Sequence, residues 1–215
     1  MTPPRPTEIA AHERLYRTLR SRIMLGEIPP GRAMTLRGLA AEYHVSMTPA
    51  RDAVRRLVAE GALSLSGSGR VSTTALSEER IEELAAMRAL IEPELAARAL
   101  PRAHHALIDR LSVMNGQIAD AVERHDATGY IRCNLDFHRT LYLRAQAPLM
   151  LAMLETVWLQ LGPTMHAVYL RLRGQQEPPR HHRMILSALR AGDEPALRLA
   201  VRADVTHGLR HIAQA

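Results

Sequence analysis

Lysine is absent: all 28 basic residues of this 215-residue chain are arginine. Arginine suits bidentate contacts to phosphate and carboxylate, so the choice fits an anion-binding role as well as a bias in base composition. Cysteine is nearly absent too. Cys133 stands alone, which excludes an internal disulfide framework and fits a reducing cytoplasm. No apolar run approaches the roughly 20 residues that span a bilayer. The opening stretch, "MTPPRPTEIAAHERLY", lacks the apolar centre of a secretory signal, so the expected location is cytoplasmic. What remains, 47% hydrophobic and 23% charged residues, is the make-up of an ordinary soluble globular protein with one large domain or two small ones.

The net charge of +6 is unevenly placed. Residues 1–76 hold 11 Arg against 6 acids, giving +5, and residues 77–215 hold 17 Arg against 16 acids, giving +1. A basic first third on a nearly neutral remainder suggests an anion-binding head joined to a second domain.

Beyond a Pro-rich tail, residues 1–11, Leu15, Leu19 and Ile23 recur every fourth residue and predict a first amphipathic helix. It stops at "GEIPPG". A short helix, "TLRGLAAEY", follows with Thr35 as N-cap, then the tight connection "HVS" and a third helix, "MTPARDAVRRLVAEG". Ser46 is placed to cap that helix, Pro49 suits its first turn and Gly61 ends it. Val54, Leu57 and Val58 form its apolar stripe, while Arg51 and Arg55 share another face with Arg56 beside them. Two short helices joined by a tight turn, the second with a basic face, match a helix-turn-helix. "ALSLSGSGRVSTTA" then alternates on both sides of "SGSG" and predicts a β-hairpin with Arg70 near its tip. The unit, residues 12–74, therefore reads as a winged helix whose third helix enters a major groove.

"LAAEYHVSMTPARDAVRRLVAEGAL" followed by "GSGRV" resembles the DNA-binding domain of the GntR family of bacterial transcription regulators. The resemblance implies DNA contacts from Thr48, Arg51, Arg55, Gly69 and Arg70. Met47 stands where the family usually has arginine, which removes a base or phosphate contact. Arg37, where an acid is common, offers a compensating one.

"TALSEER" reads as a linker, residues 75–80, running into a helix capped by Ser77 with acids in its first turn. Residues 81–215 show helical period almost throughout, broken at "LPRAHH", "ERHDATG", "AQAPL", "LGP", "RGQQEPP" and "RAGDEP". The expectation is an all-α bundle of six or seven helices, and hence a mainly α protein: an N-terminal winged helix-turn-helix with a small β-hairpin wing plus a C-terminal helical bundle.

Within the bundle, Asn134 and His138 lie four apart in "NLDFHRTLY" and leave one helix face together. His182 lies eleven residues before Asp193 in the "RAGDEP" turn and Asp204 eleven after it. Equal distances from the turn put the two at one height in an antiparallel helix pair. The four together offer two imidazoles, a carboxylate and an amide, a set that suits zinc, nickel, manganese or iron in a bundle core. The other readings of these residues are a hydrogen-bonded core layer and part of a catalytic site.

"RALIEPELAARAL", "NLDFHRTLY" and "HHRMILSALRAGDEPALRLAVRAD" resemble the FCD ligand-binding domain of the FadR-type GntR subfamily. Many members hold a divalent metal with one Asp and three His in a helical pocket where a small organic acid docks. By motif position Asn134 stands for the usual Asp, His138 and His182 match two histidines, and Asp204 stands for the third. The exchange keeps one carboxylate. The resemblance also implies a homodimer and an acid effector. Arg88 and Glu92, four apart, are either a carboxylate clamp or an ordinary helix salt bridge. His181 either lines the pocket or faces solvent. His207 and His211 either chelate metal at the surface or are solvated. Trp158 and Cys133 read as packing residues.

Three function classes compete: a metabolite-responsive transcription regulator, a metal-dependent helical enzyme that activates water with His138, His182 and Asp204, and a DNA-binding protein with a ligandless dimerisation bundle. An enzyme needs a base and an oxyanion stabiliser beside the metal, for which no dedicated residue stands out. It also leaves the basic winged helix unexplained. The polar layer argues against the ligandless bundle. The expected function is therefore a non-enzymatic regulator that binds a duplex operator.

Overall fold

The computed structural model describes residues 11–67, 69–172 and 180–210. The tail (Ala11 excepted), the "RGQQEPP" break and His211 lie outside them. The chain folds as a winged helix-turn-helix followed by an all-α bundle.

Helix α1 (Ala11–Met24) buries Leu15, Tyr16, Leu19 and Ile23, the stripe that a four-residue apolar spacing demands. Helix α2 (Leu36–Glu42) begins where Thr35 Oγ1 accepts a hydrogen bond from Gly38 N at 2.9 Å. Helix α3 (Met47–Ala59) has Ser46 at its N-cap position, but the Ser46 side chain makes no capping bond. It buries Ala50, Ala53, Val54 and Leu57 against α1, leaving Arg51 and Arg55 outside. The expected hairpin is β2 (Leu63–Leu65) with β3 (Arg70–Thr73). A strand not expected from the sequence, β1 (Ala33–Thr35), pairs antiparallel with the other edge of β3, so the sheet order is β1-β3-β2. Val71, at the centre, is fully buried.

The Thr35 cap sets where α2 starts and so how it presents α3. Thr35→Ala is expected to cost about 1 kcal/mol, the usual loss for a capping hydroxyl, read as a lower urea midpoint. An unchanged midpoint would mean that β1, not the cap, holds this corner.

The bundle comprises α4 (Glu78–Ala99), α5 (His105–Glu123), α6 (Ala127–Tyr142), α7 (Pro148–Leu172), α8 (Arg180–Ala191) and α9 (Glu194–Arg210). Side-chain caps start four of them: Ser77 for α4, His104 for α5, Asp126 for α6 and Asp193 for α9. Gly192, at φ +67°, turns α8 back onto α9 in a conformation that costs other residues more. Helix α4 packs on α9, α5 on α6 and α8 on α9, around a core that includes Leu95, Leu111, Phe137, Leu141, Ile185 and Val201. Cys133 packs against this core.

One expected break is absent. The helix does not stop at "LGP": α7 runs through Gly162 and Pro163. Proline inside a helix costs about 3 kcal/mol. Residues 161–164 are all buried, and that packing outweighs the local penalty. Leu159 of α7 lies in the same core cluster as Leu19 and Leu57 of the winged helix.

Candidate functional site

Three helices each send one ionisable side chain to a single point in the bundle. His138 of α6 places Nε2 3.1 Å from Asp204 Oδ2 on α9. His182 of α8 places Nε2 3.6 Å from Asp204 Oδ1 and 3.3 Å from His138 Nε2. His182 and Asp204 meet at the height set by their equal distances from the α8–α9 turn. One ligand atom from each of the three lies within 4.8 Å of the others. Both imidazoles are 1% exposed, and the ring of Phe137 stacks on His182 at 4.2 Å.

Beside this triplet is a buried carboxylate that the helix spacing alone did not place. Glu92 of α4 is 0% exposed and accepts three hydrogen bonds: from Arg88 Nε at 2.5 Å, Trp158 Nε1 at 3.1 Å and Tyr142 Oη at 2.9 Å. Tyr142 Oη also lies 3.1 Å from His138 Nδ1. Since the tyrosine proton goes to Glu92, its oxygen accepts from His138 Nδ1–H. In the neutral ring, that tautomer turns the Nε2 lone pair towards Asp204 and His182.

The electrostatics favour ligating forms. Burial pushes the His182 imidazole down to about 4, against the opposing pull of Asp204, so the ring is neutral near pH 7. Burial pushes the Asp204 carboxyl up, but His182, His138 and Arg88 together hold it well below the usual carboxylate range. Two imidazole nitrogens and a carboxylate oxygen thus converge in a largely buried place. A divalent cation fits that donor set. Among the described residues, His182 Nδ1 is buried without a hydrogen-bond partner, whereas His138 Nδ1 has Tyr142.

Asn134, one turn before His138, lines a small cavity with Arg88, Tyr130 and Trp158. The cavity has about 20 Å³ of room, enough for roughly one water molecule. Both Arg88 and Tyr130 feel the charge of Asp204. Of the two readings of Arg88 and Glu92, the salt bridge is formed, and it is buried; the guanidinium nonetheless faces the cavity. His181 is not among the cavity-lining residues. Its ring sits 5.1 Å from that of His207. Tyr130, Asn134, His138 and Tyr142 follow one another at four-residue spacing along α6. That ladder was readable in the sequence, and it would have found Tyr130 and Tyr142; Trp158 carries no comparable signal.

On the winged helix, Thr48, Arg51 and Arg55 of α3, Arg37 of α2 and Arg70 of the wing are all exposed, and Gly69 is half-buried beside Arg70. Met47, at the first position of α3, is also exposed. Among the described residues, Arg37, Arg51, Arg55 and Arg70 have no carboxylate partner. Other arginines of the unit do: Arg17 pairs with Glu13, Arg20 with Glu60 and Glu155, and Arg22 with Glu42. Arg56, although next to Arg55, leaves that face. It lies 3.6 Å over the Tyr16 ring and pairs with Glu13 at 2.9 Å.

Comparison with known proteins follows from both units. Residues 11–71 match the family model of bacterial regulatory proteins, gntR family, and residues 83–207 match that of the FCD domain. The HTH-type transcriptional regulator McbR of Escherichia coli (strain K12) is 25% identical over 182 residues, 84% of this chain and 82% of that protein. The gluconate operon transcriptional repressor of Bacillus subtilis (strain 168) is 28% identical over 152 residues, 71% of this chain and 60% of that protein. Among solved structures, E. coli McbR/YncC superposes with a TM-score of 0.86 at 23% identity, covering 96% of this chain and 98% of that one. A putative transcriptional regulator GntR from Rhodococcus sp. RHA1 gives 0.78 at 20% identity, covering 95% and 98%.

Proposed function

The chain belongs to the gntR family of bacterial regulatory proteins, in the FadR-type branch with an FCD domain, and on that premise we propose a homodimeric, metabolite-responsive regulator whose helical domain takes a small carboxylate. It is a DNA-binding transcription regulator and not an enzyme, as its relatives are. No helix among the described residues is long and apolar enough to cross a membrane; the cytoplasm, where the DNA is, is the proposed location.

In this reading two winged helices related by a two-fold axis meet a palindromic operator. Thr48, Arg51 and Arg55 face the major groove, Gly69 and Arg70 approach the backbone or minor groove, and Arg37 adds a phosphate contact. The exposed, unpaired state of these arginines supports that assignment, because a cation already held by a carboxylate has less to gain from phosphate.

In the helical domain, His138, His182 and Asp204 would hold a divalent cation such as zinc, nickel or manganese, with Asn134 as a weak fourth donor. When bound, the cation supplies an open position for a carboxylate oxygen. Tyr142 and Glu92 hold His138 in its ligating tautomer. Arg88 and Asn134 present the polar groups that orient an acid, with His181 as a further contact outside the cavity wall. Occupancy changes operator affinity in so far as the ligand prefers one arrangement of the two units over another.

The observation that carries the reading is the buried convergence of His138, His182 and Asp204. Bound metal, measured by elemental analysis of untagged protein, is expected at roughly one ion per chain and lost in His138→Ala/His182→Ala. Wild-type protein that stays metal-free after incubation with zinc, nickel and manganese would overturn the metal assignment. The triplet would then be a hydrogen-bonding layer, and Arg88 and Asn134 would carry acid recognition.

A further inference from the structure

The cavity beside the triplet is not closed by the helical domain alone. Met24, the last residue of α1, forms part of its wall with Arg88, Asn134 and Trp158. Met24 packs against the core of the bundle and the core of the winged helix at once. On its far side is a cleft of about 340 Å³ between α1, α6 and α7, whose charged lining is Arg20, Arg132 and Arg139 together with Asp136 and Glu155. The cleft and the inner cavity share three lining residues, Met24, Leu135 and Trp158, which therefore form the partition between them.

The seam at this partition is backbone against backbone. A Cβ on Gly162 of α7 would fall 2.3 Å from Ile23 O and 2.6 Å from Met24 Cα. A Cβ on Gly26 would fall 3.0 Å from Gly162 O. At Gly162 the backbone of the α1 terminus rests directly on α7, so a push on the Met24 backbone is a push on the end of α1. The inner cavity, at about 20 Å³, is too small for a carboxylate-sized ligand.

We propose that the ligand site is composite: Met24 of the DNA-binding unit is its moving wall, and a small carboxylate arriving through the cleft between α1 and α6/α7 must displace it. This deepens the regulator reading above and rests on it. The cleft supplies the entrance, where Arg20 and Arg139 pair with Glu155 and Arg132 with Glu27. Arg88 and Asn134 supply the inner contacts. Because α1 packs on α3, the displacement reaches the recognition helix directly. Coupling of this kind is reciprocal, so DNA that fixes α1 must in turn alter the cavity.

That reciprocity gives a test that needs no identified effector. Trp158, in the partition, is the chain's single tryptophan, so its emission reports the cavity without a label. A duplex selected from a random pool is titrated into full-length protein, with binding followed independently by anisotropy of the labelled duplex. In wild type, Trp158 emission is expected to change in step with binding. In Met24→Ala the duplex is expected to bind while the emission change is lost. An equal change in Met24→Ala, or silent Trp158 in wild type that binds duplex, overturns the composite site. Wild-type protein labelled with methyl-¹³C methionine, with the Met24 signal assigned through Met24→Leu, tests the same point without deleting the side chain: that signal must shift on duplex binding, and a stationary one overturns the proposal. Failure to select any duplex would instead sink the regulator reading itself, and this inference with it.

Discussion

Glu92→Ala is expected to lower the unfolding free energy by about 3–5 kcal/mol, the cost of stranding one member of a buried ion pair. Glu92 is fully buried and Arg88 is 7% exposed, so the guanidinium left behind loses its paired carboxylate and has little bulk water to replace it. Two further donors, Tyr142 Oη and Trp158 Nε1, lose their acceptor in the same substitution. Each unsatisfied buried donor adds roughly 1–3 kcal/mol, although part of this overlaps with the ion-pair loss. Urea unfolding followed by far-UV circular dichroism measures the total. The double variant Arg88→Met/Glu92→Leu is expected to recover part of the loss, because no charge is stranded, but not all of it, because Tyr142 and Trp158 still lack a partner. A loss below about 1 kcal/mol in Glu92→Ala would place the pair among ordinary solvated helix salt bridges. A large loss makes Arg88 a residue whose charge is balanced before any ligand arrives, and the ligand's contribution is then to orientation more than to neutralisation.

How much of this was legible beforehand depends on whether the determining contacts are local. The four-residue spacing of Leu15, Leu19 and Ile23, the Thr35 cap and the "SGSG" hairpin are local, and each element formed where they pointed. The His182–Asp204 meeting is non-local but depends only on a short turn between two helices, so counting residues located it. Strand β1 was missed because three residues carry no usable alternation, and its partner β3 lies almost forty residues away. The "LGP" break was wrongly expected because Gly-Pro weakens a helix locally, while the fully buried seam with α1 stabilises it. Helix angle put Arg51 and Arg55 on one face with Arg56 beside them, and the contacts that hold Arg56, from Tyr16 and Glu13 of α1, are non-local. The hub at Glu92 was half visible: Arg88 is four residues away, whereas Tyr142 and Trp158 arrive from 50 and 66 residues on. The sequence thus locates ligand-type residues better than the groups that orient them.

The Arg56 result gives the DNA-binding assignment its sharpest control. Arg51→Ala is expected to cost about 1–3 kcal/mol per subunit if its guanidinium reads a base edge. In a two-fold dimer the substitution occurs twice, so operator affinity should fall by roughly 30-fold to more than 10,000-fold. Arg55, one turn along the same exposed face, is placed further from the helix start, where phosphate contact is the expected role. Arg55→Ala should therefore weaken binding more uniformly across sequences and reduce the slope of log K against log salt by about 0.9 per subunit. Arg56→Ala should change neither the slope nor the sequence preference, and should instead lower stability through loss of its contacts to Tyr16 and Glu13. Titrating one selected duplex against the three variants at several salt concentrations separates the cases. Retained affinity in Arg51→Ala at moderate salt would remove α3 from the groove. A loss in Arg56→Ala matching that in Arg51→Ala would mean that the duplex draws Arg56 off Tyr16, so that the Glu13 and Tyr16 contacts are themselves broken on binding. A wild-type response that is flat in salt would exclude phosphate anchoring by this unit altogether, since every arginine–phosphate contact must release counterion.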